Sequence, residues 1–142
     1  MKSVEVTIFV EPTPKGRAKG TIVDGHVSMY TPKKTTNAES LIIASIRKAL
    51  PKEAEMVHTF EKDVPLRVEA TFYRLRPQHL PRRVLMPVSN PDVDNYGKLL
   101  LDALNHYLYW SDSQITTLVL RKRFVAERQV PRIQLRVRED LY

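Results

Sequence analysis

Leu66-Arg67-Val68-Glu69-Ala70-Thr71-Phe72-Tyr73 alternates apolar and polar residues at every step. A period of two puts Leu66, Val68, Ala70 and Phe72 on one face and Arg67, Glu69, Thr71 and Tyr73 on the other. This is the pattern of a strand with one face in a core, and it extends over 64–76. The same pattern opens the chain. Val4, Val6, Ile8 and Val10 oppose Glu5, Thr7 and Phe9, and Pro12 and Pro14 end the run. Near the other end, over 130–137, Ile133, Leu135 and Val137 alternate with Arg132, Gln134, Arg136 and Arg138. One face of that strand packs; the other is strongly positive and faces either DNA or solvent. Residues 115–124 predict a further strand, in which the consecutive Arg121, Lys122 and Arg123 cannot share a face.

Between the strands the period changes. Thr36 and Glu39 have the spacing of a capping box, and Leu41, Ile42, Ser45, Ile46 and Ala49 recur at helical spacing until Pro51. A short helix is expected within 52–60. A second long helix is expected from Val93 to Leu108, with Tyr96, Leu99, Leu100, Ala103, Leu104 and Tyr107 on its apolar face. Asp24-Gly25, between Thr21-Ile22-Val23 and His26-Val27-Ser28-Met29-Tyr30, predicts a tight hairpin, because Asp-Gly supplies positive φ. Pro77, Pro81, Pro87 and Pro91 make 77–91 a loop; it holds Arg82 and Arg83, follows Arg76, and has no acid between Arg74 and Pro91. The order is strand, hairpin, helix, strand, helix, strand, strand. That predicts one α/β (α+β) domain over 1–142, a mixed β-sheet with two main helices packed on it.

The chain has 142 residues, 42% hydrophobic and 27% charged, a globular balance that excludes disorder throughout. It has no cysteine, which excludes a disulfide scaffold, a thiolate zinc site and a cysteine nucleophile. No apolar run approaches the ~18 residues of a membrane span. The opening Met1-Lys2-Ser3-Val4-Glu5 lacks a secretory apolar stretch. A cytoplasmic chain with no membrane partner is expected. Lys and Arg number 23 against 16 Asp and Glu, a net charge of +7. Such a chain attracts polyanions, of which nucleic acid is the commonest in cells; plain solubility is the other reading.

Against that background, four carboxylates gather in one stretch: Asn90-Pro91-Asp92-Val93-Asp94-Asn95-Tyr96-Gly97-Lys98, then Asp102, then Trp110-Ser111-Asp112-Ser113-Gln114-Ile115. At about 100° per residue, Asp94, Lys98 and Asp102 share a stripe opposite the apolar face. Asp92 falls at the start of the helix and Asp112 in the turn beyond it. Two or three carboxylates suffice to hold Mg²⁺, which takes oxygen ligands and keeps several waters. A divalent ion among them would reverse the local sign and activate water, with Lys98 contacting the scissile phosphate or developing negative charge. The same residues also read as helix caps, i,i+4 ion pairs and a turn aspartate. Tyr109 and Trp110 read as core or dimer contacts, or as a base-stacking pair. His26, His58, His79 and His106 show no metal spacing.

The longer string resembles the RusA family of Holliday-junction resolvases, small enzymes frequently encoded by prophages. The resemblance rests on Pro91-Asp92-x-Asp94-Asn95-x-x-Lys98-x-x-x-Asp102-Ala103-Leu104 and on Trp110-x-Asp112-Ser113-Gln114-Ile115. Pro14-Lys15-Gly16-Arg17-Ala18-Lys19 and Tyr30-Thr31-Pro32-Lys33-Lys34 extend it, more loosely, so that it spans about residues 8 to 124. It implies a homodimeric, Mg²⁺-dependent endonuclease, Mn²⁺ substituting, that cuts four-way DNA junctions by paired symmetric incisions. On this resemblance Asp92, Asp94 and Asp112 match the catalytic, metal-binding aspartates, Lys98 the essential lysine, and Asp102 a supporting position. Lys15, Arg17, Lys19, Lys33 and Lys34 would form a phosphate-binding strip, joined by Arg76, Arg82 and Arg83 of the basic loop. Two positions depart from the pattern: Asn90, where Lys is frequent, and Ser111, where Asp is frequent. No small-molecule substrate is expected. The rival readings are a non-catalytic nucleic-acid-binding module, in which the aspartates are caps and pairs, and an endoribonuclease.

Overall fold

The strand latest in the sequence lies inside the sheet. In the computed structural model, which describes residues 2–16, 19–30, 32–50 and 59–141, β6 (Arg132–Glu139) runs antiparallel between β1 (Ser3–Ile8) and β4 (Leu66–Arg74). On the far side of β4, β5 (Ile115–Phe124) pairs in parallel, giving the order β1-β6-β4-β5. A parallel neighbour needs a crossover connection, and the chain between β4 and β5 supplies it through α2 (Val93–Leu104). The expected mixed sheet and two helices are all present.

Register follows from the alternation. Val6 pairs with Leu135, Leu135 with Ala70 and Ala70 with Leu120, so one face of all four strands is apolar. α1 (Lys33–Ala49) and α2 cover that face. α1 buries Ala38, Ile42 and Ile46; α2 buries Tyr96, Leu99, Leu100, Ala103 and Leu104. The Phe72 and Tyr96 rings stack with centroids 5.4 Å apart, fixing α2 to β4. α2 reaches β5 through Gly97, where a Cβ would collide with Leu120 Cδ1. Among the described residues no helix is long and apolar enough to cross a membrane.

β2 (Lys19–Val23) and β3 (His26–Tyr30) form a separate two-stranded sheet, with Asp24 and Gly25 both at positive φ as the sequence requires. Strand ends are trimmed, β4 to 66–74 from the expected 64–76 and β1 to end at Ile8. Boundaries differ in three further places. α1 starts at Lys33 with Pro32 as N-cap, so Thr36 lies inside the helix and its hydroxyl donates to the Lys33 carbonyl. The expected capping box therefore does not form; Glu39 is drawn to Lys15 instead. α2 stops at Leu104 and not at Leu108: His106 takes φ 60°, and Leu108 and Tyr109 are buried by the turn that follows. The last strand is shifted two residues onward, to 132–139. The short helix expected within 52–60 lies mostly outside the described residues.

Candidate active site

α2 buries its apolar stripe and thereby turns Asp94, Lys98 and Asp102 outward, as the spacing predicted. These three side chains and Asp112 border one hollow of about 240 Å³, whose apolar part is Leu101, Leu118 and Leu120. The helix and the turn beyond it thus meet. Asp92 does not line this hollow; it is the N-cap residue of α2, with no side-chain hydrogen bond to the helix. Among the described residues no ion pair joins Lys98 to Asp94 or Asp102, so the i,i+4 pairs of the alternative reading are not what forms. Asp102 instead meets Lys15 at 3.0 Å.

The Asp112 turn is held from several sides. The buried Tyr109 hydroxyl donates to Asp112 Oδ1 at 2.8 Å, and the Asp112 N–H donates to Asn105 Oδ1 at 3.1 Å. Ser111 and Gln114 close a capping box around the single 3-10 turn Asp112–Gln114. Gln114 is buried and uses both ends of its amide. Its Oε1 accepts from the Trp110 and Ser111 N–H groups, and its Nε2 donates to the Glu61 and Val64 carbonyls at 2.9 and 3.0 Å. Burial pushes the Asp112 carboxyl above its ordinary pKa and the charge of Asp102 adds to this, against the Tyr109 hydrogen bond and the His106 charge. Burial also drives the Tyr109 phenol far upward, helped by the Asp112 hydrogen bond, so it stays a neutral donor. Sequence reasoning missed these supports: Tyr109 reads as packing or base stacking, Asn105 has no reading, and Gln114 stands in the motif without a role, although the Ser-x-x-Gln spacing of Ser111 and Gln114 is a capping signal.

Several expected phosphate contacts have protein partners. Lys15 Nζ lies 2.8 Å from Glu39 and 3.0 Å from Asp102, tying α1 to α2. Burial lowers the affinity of Lys15 for its proton, but the hydrogen bonds and charges of Glu39 and Asp102 outweigh that and hold its pKa above the usual lysine value. Its backbone N–H donates to the Asn95 carbonyl, which seats the 14–16 segment on the first turn of α2. Lys19, Lys33 and Lys34 are exposed, and Arg17 lies outside the described residues. In the proline-rich loop, Arg76 donates to the Val84 and Pro81 carbonyls and sits over the Phe124 ring. Arg74 donates to the Asn90 carbonyl, and Lys122 to those of Ser89 and Pro91. The Asn90–Pro91 bond between them is cis. Arg82 and Arg83 are exposed at the loop's turn.

Asp94, Asp102 and Asp112 offer hard oxygen donors around a space open to water, and the raised Asp112 carboxyl is a charge that a cation would relieve. Their donor type is the one a magnesium-like ion takes, but among the described residues no group of three or more acidic or imidazole side chains is drawn close enough to hold a metal ion.

This arrangement has relatives. A family model described as Endodeoxyribonuclease RusA matches residues 10–138. The chain is 30% identical over 143 residues to the uncharacterized protein YqaN of Bacillus subtilis (strain 168), covering 98% of each. It is 36% identical over 101 residues to the crossover junction endodeoxyribonuclease rusA of Lactococcus phage r1t, covering 70% of this chain and 71% of that one. The match takes in the whole hollow, the turn that carries Asp112 and the strands beneath them, and the chain belongs to the RusA family of endodeoxyribonucleases.

Proposed function

We propose that this chain resolves four-way DNA junctions by hydrolysing opposed phosphodiester bonds, with the hollow between α2 and the Asp112 turn as its active centre. The observation that carries this reading is the meeting of Asp94, Lys98, Asp102 and Asp112 around one space. A homodimer would present two such hollows to two strands of one junction. Asp94 and Asp112, with Asp92 nearby in sequence, are the residues that would hold Mg²⁺, or Mn²⁺ in its place. Such an ion supplies charge neutralisation at the phosphate and a more acidic attacking water. Lys98, which lines the hollow, would bind a non-bridging phosphate oxygen and offset charge that develops during cleavage. Tyr109 holds Oδ1 of Asp112, and Asn105 fixes the Asp112 backbone. Asp102 acts indirectly: through Lys15 it sets how α2 sits against α1.

The test is cleavage of a synthetic four-way junction in Mg²⁺ beside linear duplex, single strand and RNA of the same sequence. Wild type is expected to make paired nicks near the crossover that EDTA abolishes. Asp94→Asn is expected to lose at least ~100-fold in rate while binding the junction as tightly or more tightly, because it removes negative charge near phosphate. A variant that cuts at the wild-type rate removes Asp94 from the chemistry. Preference for RNA replaces the junction reading with an endoribonuclease.

A further inference from the structure

The face of the sheet turned away from both helices carries Arg67, Arg121, Arg123, Arg132, Arg136 and Arg138. Strand register sets them out in rows. One row reads Glu5, Arg136, Glu69, Val119 across the four strands; the next reads Thr7, Gln134, Thr71, Arg121. The two rows border an open trough of about 410 Å³. Glu5, Thr7, Gln134, Arg136 and Arg121 are exposed there.

The two acids on this face are already occupied. Glu69 lies 2.6 Å from Arg67, and its pKa is held down by that hydrogen bond first and by the charges of Arg67, Arg121 and Arg136. Glu5 stands 3.6 Å from Arg136. At one corner Asp140 accepts from the Thr116 and Thr117 hydroxyls. Arg132 stacks over the Tyr73 ring at 4.0 Å. Six arginines against two paired glutamates and Asp140 at the corner leave a positive excess over a floor of hydroxyls and one amide.

We propose that this open sheet face is a second nucleic-acid surface, which binds the backbone phosphates of a duplex arm other than the one being cut. It rests on the reading that the chain acts on branched DNA. The argument is charge and chemistry together. Guanidinium forks pair with phosphate oxygens, and threonine hydroxyls donate to the same groups. A protein partner would call for an apolar centre, and this face has Val119 alone there. The hollow opens on the helix side of the sheet, and packed layers stand roughly 10 Å apart. The stretch of backbone in the hollow therefore cannot be the stretch on this face. A linear duplex has nothing further to offer; a branched molecule has arms leaving in other directions.

The experiment measures binding of a fluorescent four-way junction across a salt series in EDTA, so that no cleavage occurs. Three proteins run beside wild type: Arg121→Gln/Arg136→Gln, the charge-keeping Arg121→Lys/Arg136→Lys, and Arg47→Gln/Lys48→Gln, which removes two charges from exposed positions of α1. The first is expected to bind roughly tenfold more weakly and to reduce the salt slope by about 2, one unit for each phosphate that is no longer neutralised. The lysine pair is expected to keep most of the affinity and the α1 pair nearly all of it. Equal losses in the two glutamine variants would reduce the effect to net charge and overturn the proposal. So would a loss that follows dissociation of a dimer in sedimentation, which would make this face a contact between copies. If wild type itself ignores junction DNA, the functional reading fails first, and the two failures are told apart.

Discussion

Asp112 holds a negative charge where burial takes away part of its water. Burial raises its pKa, the Asp102 charge raises it further, and the Tyr109 hydrogen bond and His106 offset only part. A carboxyl that is harder to ionise folded than unfolded opposes folding once it is ionised. That penalty begins as pH rises through the unfolded value of 3.8 and is complete above the higher folded value. Asp112→Asn keeps an oxygen for the Tyr109 hydroxyl and removes the charge. It is expected to raise Tm by a few degrees at pH 7 in EDTA, with the difference closing below pH 3.8, and to abolish cleavage. Mg²⁺ is expected to raise the Tm of wild type and leave the variant unchanged. Calorimetry at two pH values checks both points, and a lower Tm for the variant at pH 7 contradicts them. The aspartates were legible because their spacing is local and their charge is out of place in a basic chain. Tyr109 was not, because a tyrosine beside a tryptophan reads as packing until its hydroxyl is seen to have a partner.

The turn that carries Asp112 owes its shape to one amide. Gln114 satisfies two N–H groups of its own turn and two distant carbonyls, those of Val64 and Glu61, 50 and 53 residues earlier. Gln114→Leu strands all four groups. These groups are only part-buried, and water takes up some of them, so the loss of stability is expected to be about 2 kcal/mol. Cleavage should fall with it, since Asp112 loses its seat. Urea unfolding gives the first number, and a loss below about 1 kcal/mol would mean that water replaces the amide without penalty. The sequence reading misses both halves of this clamp: it passes over the Ser-x-x-Gln spacing of Ser111 and Gln114 as a plain turn, and nothing local marks the Glu61 and Val64 carbonyls as acceptors. Element ends show the same limit. Apolar periodicity carries on past Leu104 through Tyr107 and Leu108 because the following turn is buried too, so the pattern overran the helix. Thr36 and Glu39 had the spacing of a cap, but Pro32 had already fixed the backbone one turn earlier.

At the scale of the molecule, the alternating strands and two amphipathic helices were enough for the class of fold, since each face had to find cover. Strand order was beyond them: alternation says which face is buried and nothing about which neighbour a strand takes. The structure puts β6 between β1 and β4, where Ile133, Leu135 and Val137 fill the core and where β1 has its pairing partner. A chain ending before Arg132 therefore loses three core side chains, leaves β1 unpaired and opens one edge of β4. It is expected to show no cooperative thermal transition by circular dichroism, and a sharp transition would disprove this dependence on β6. During translation the ribosome adds every residue of the hollow before it adds the strand that braces the sheet. The nascent chain therefore holds its acidic cluster without a braced sheet until β6 has been added. A chain interrupted before that point would carry the aspartates without the frame that brings them together.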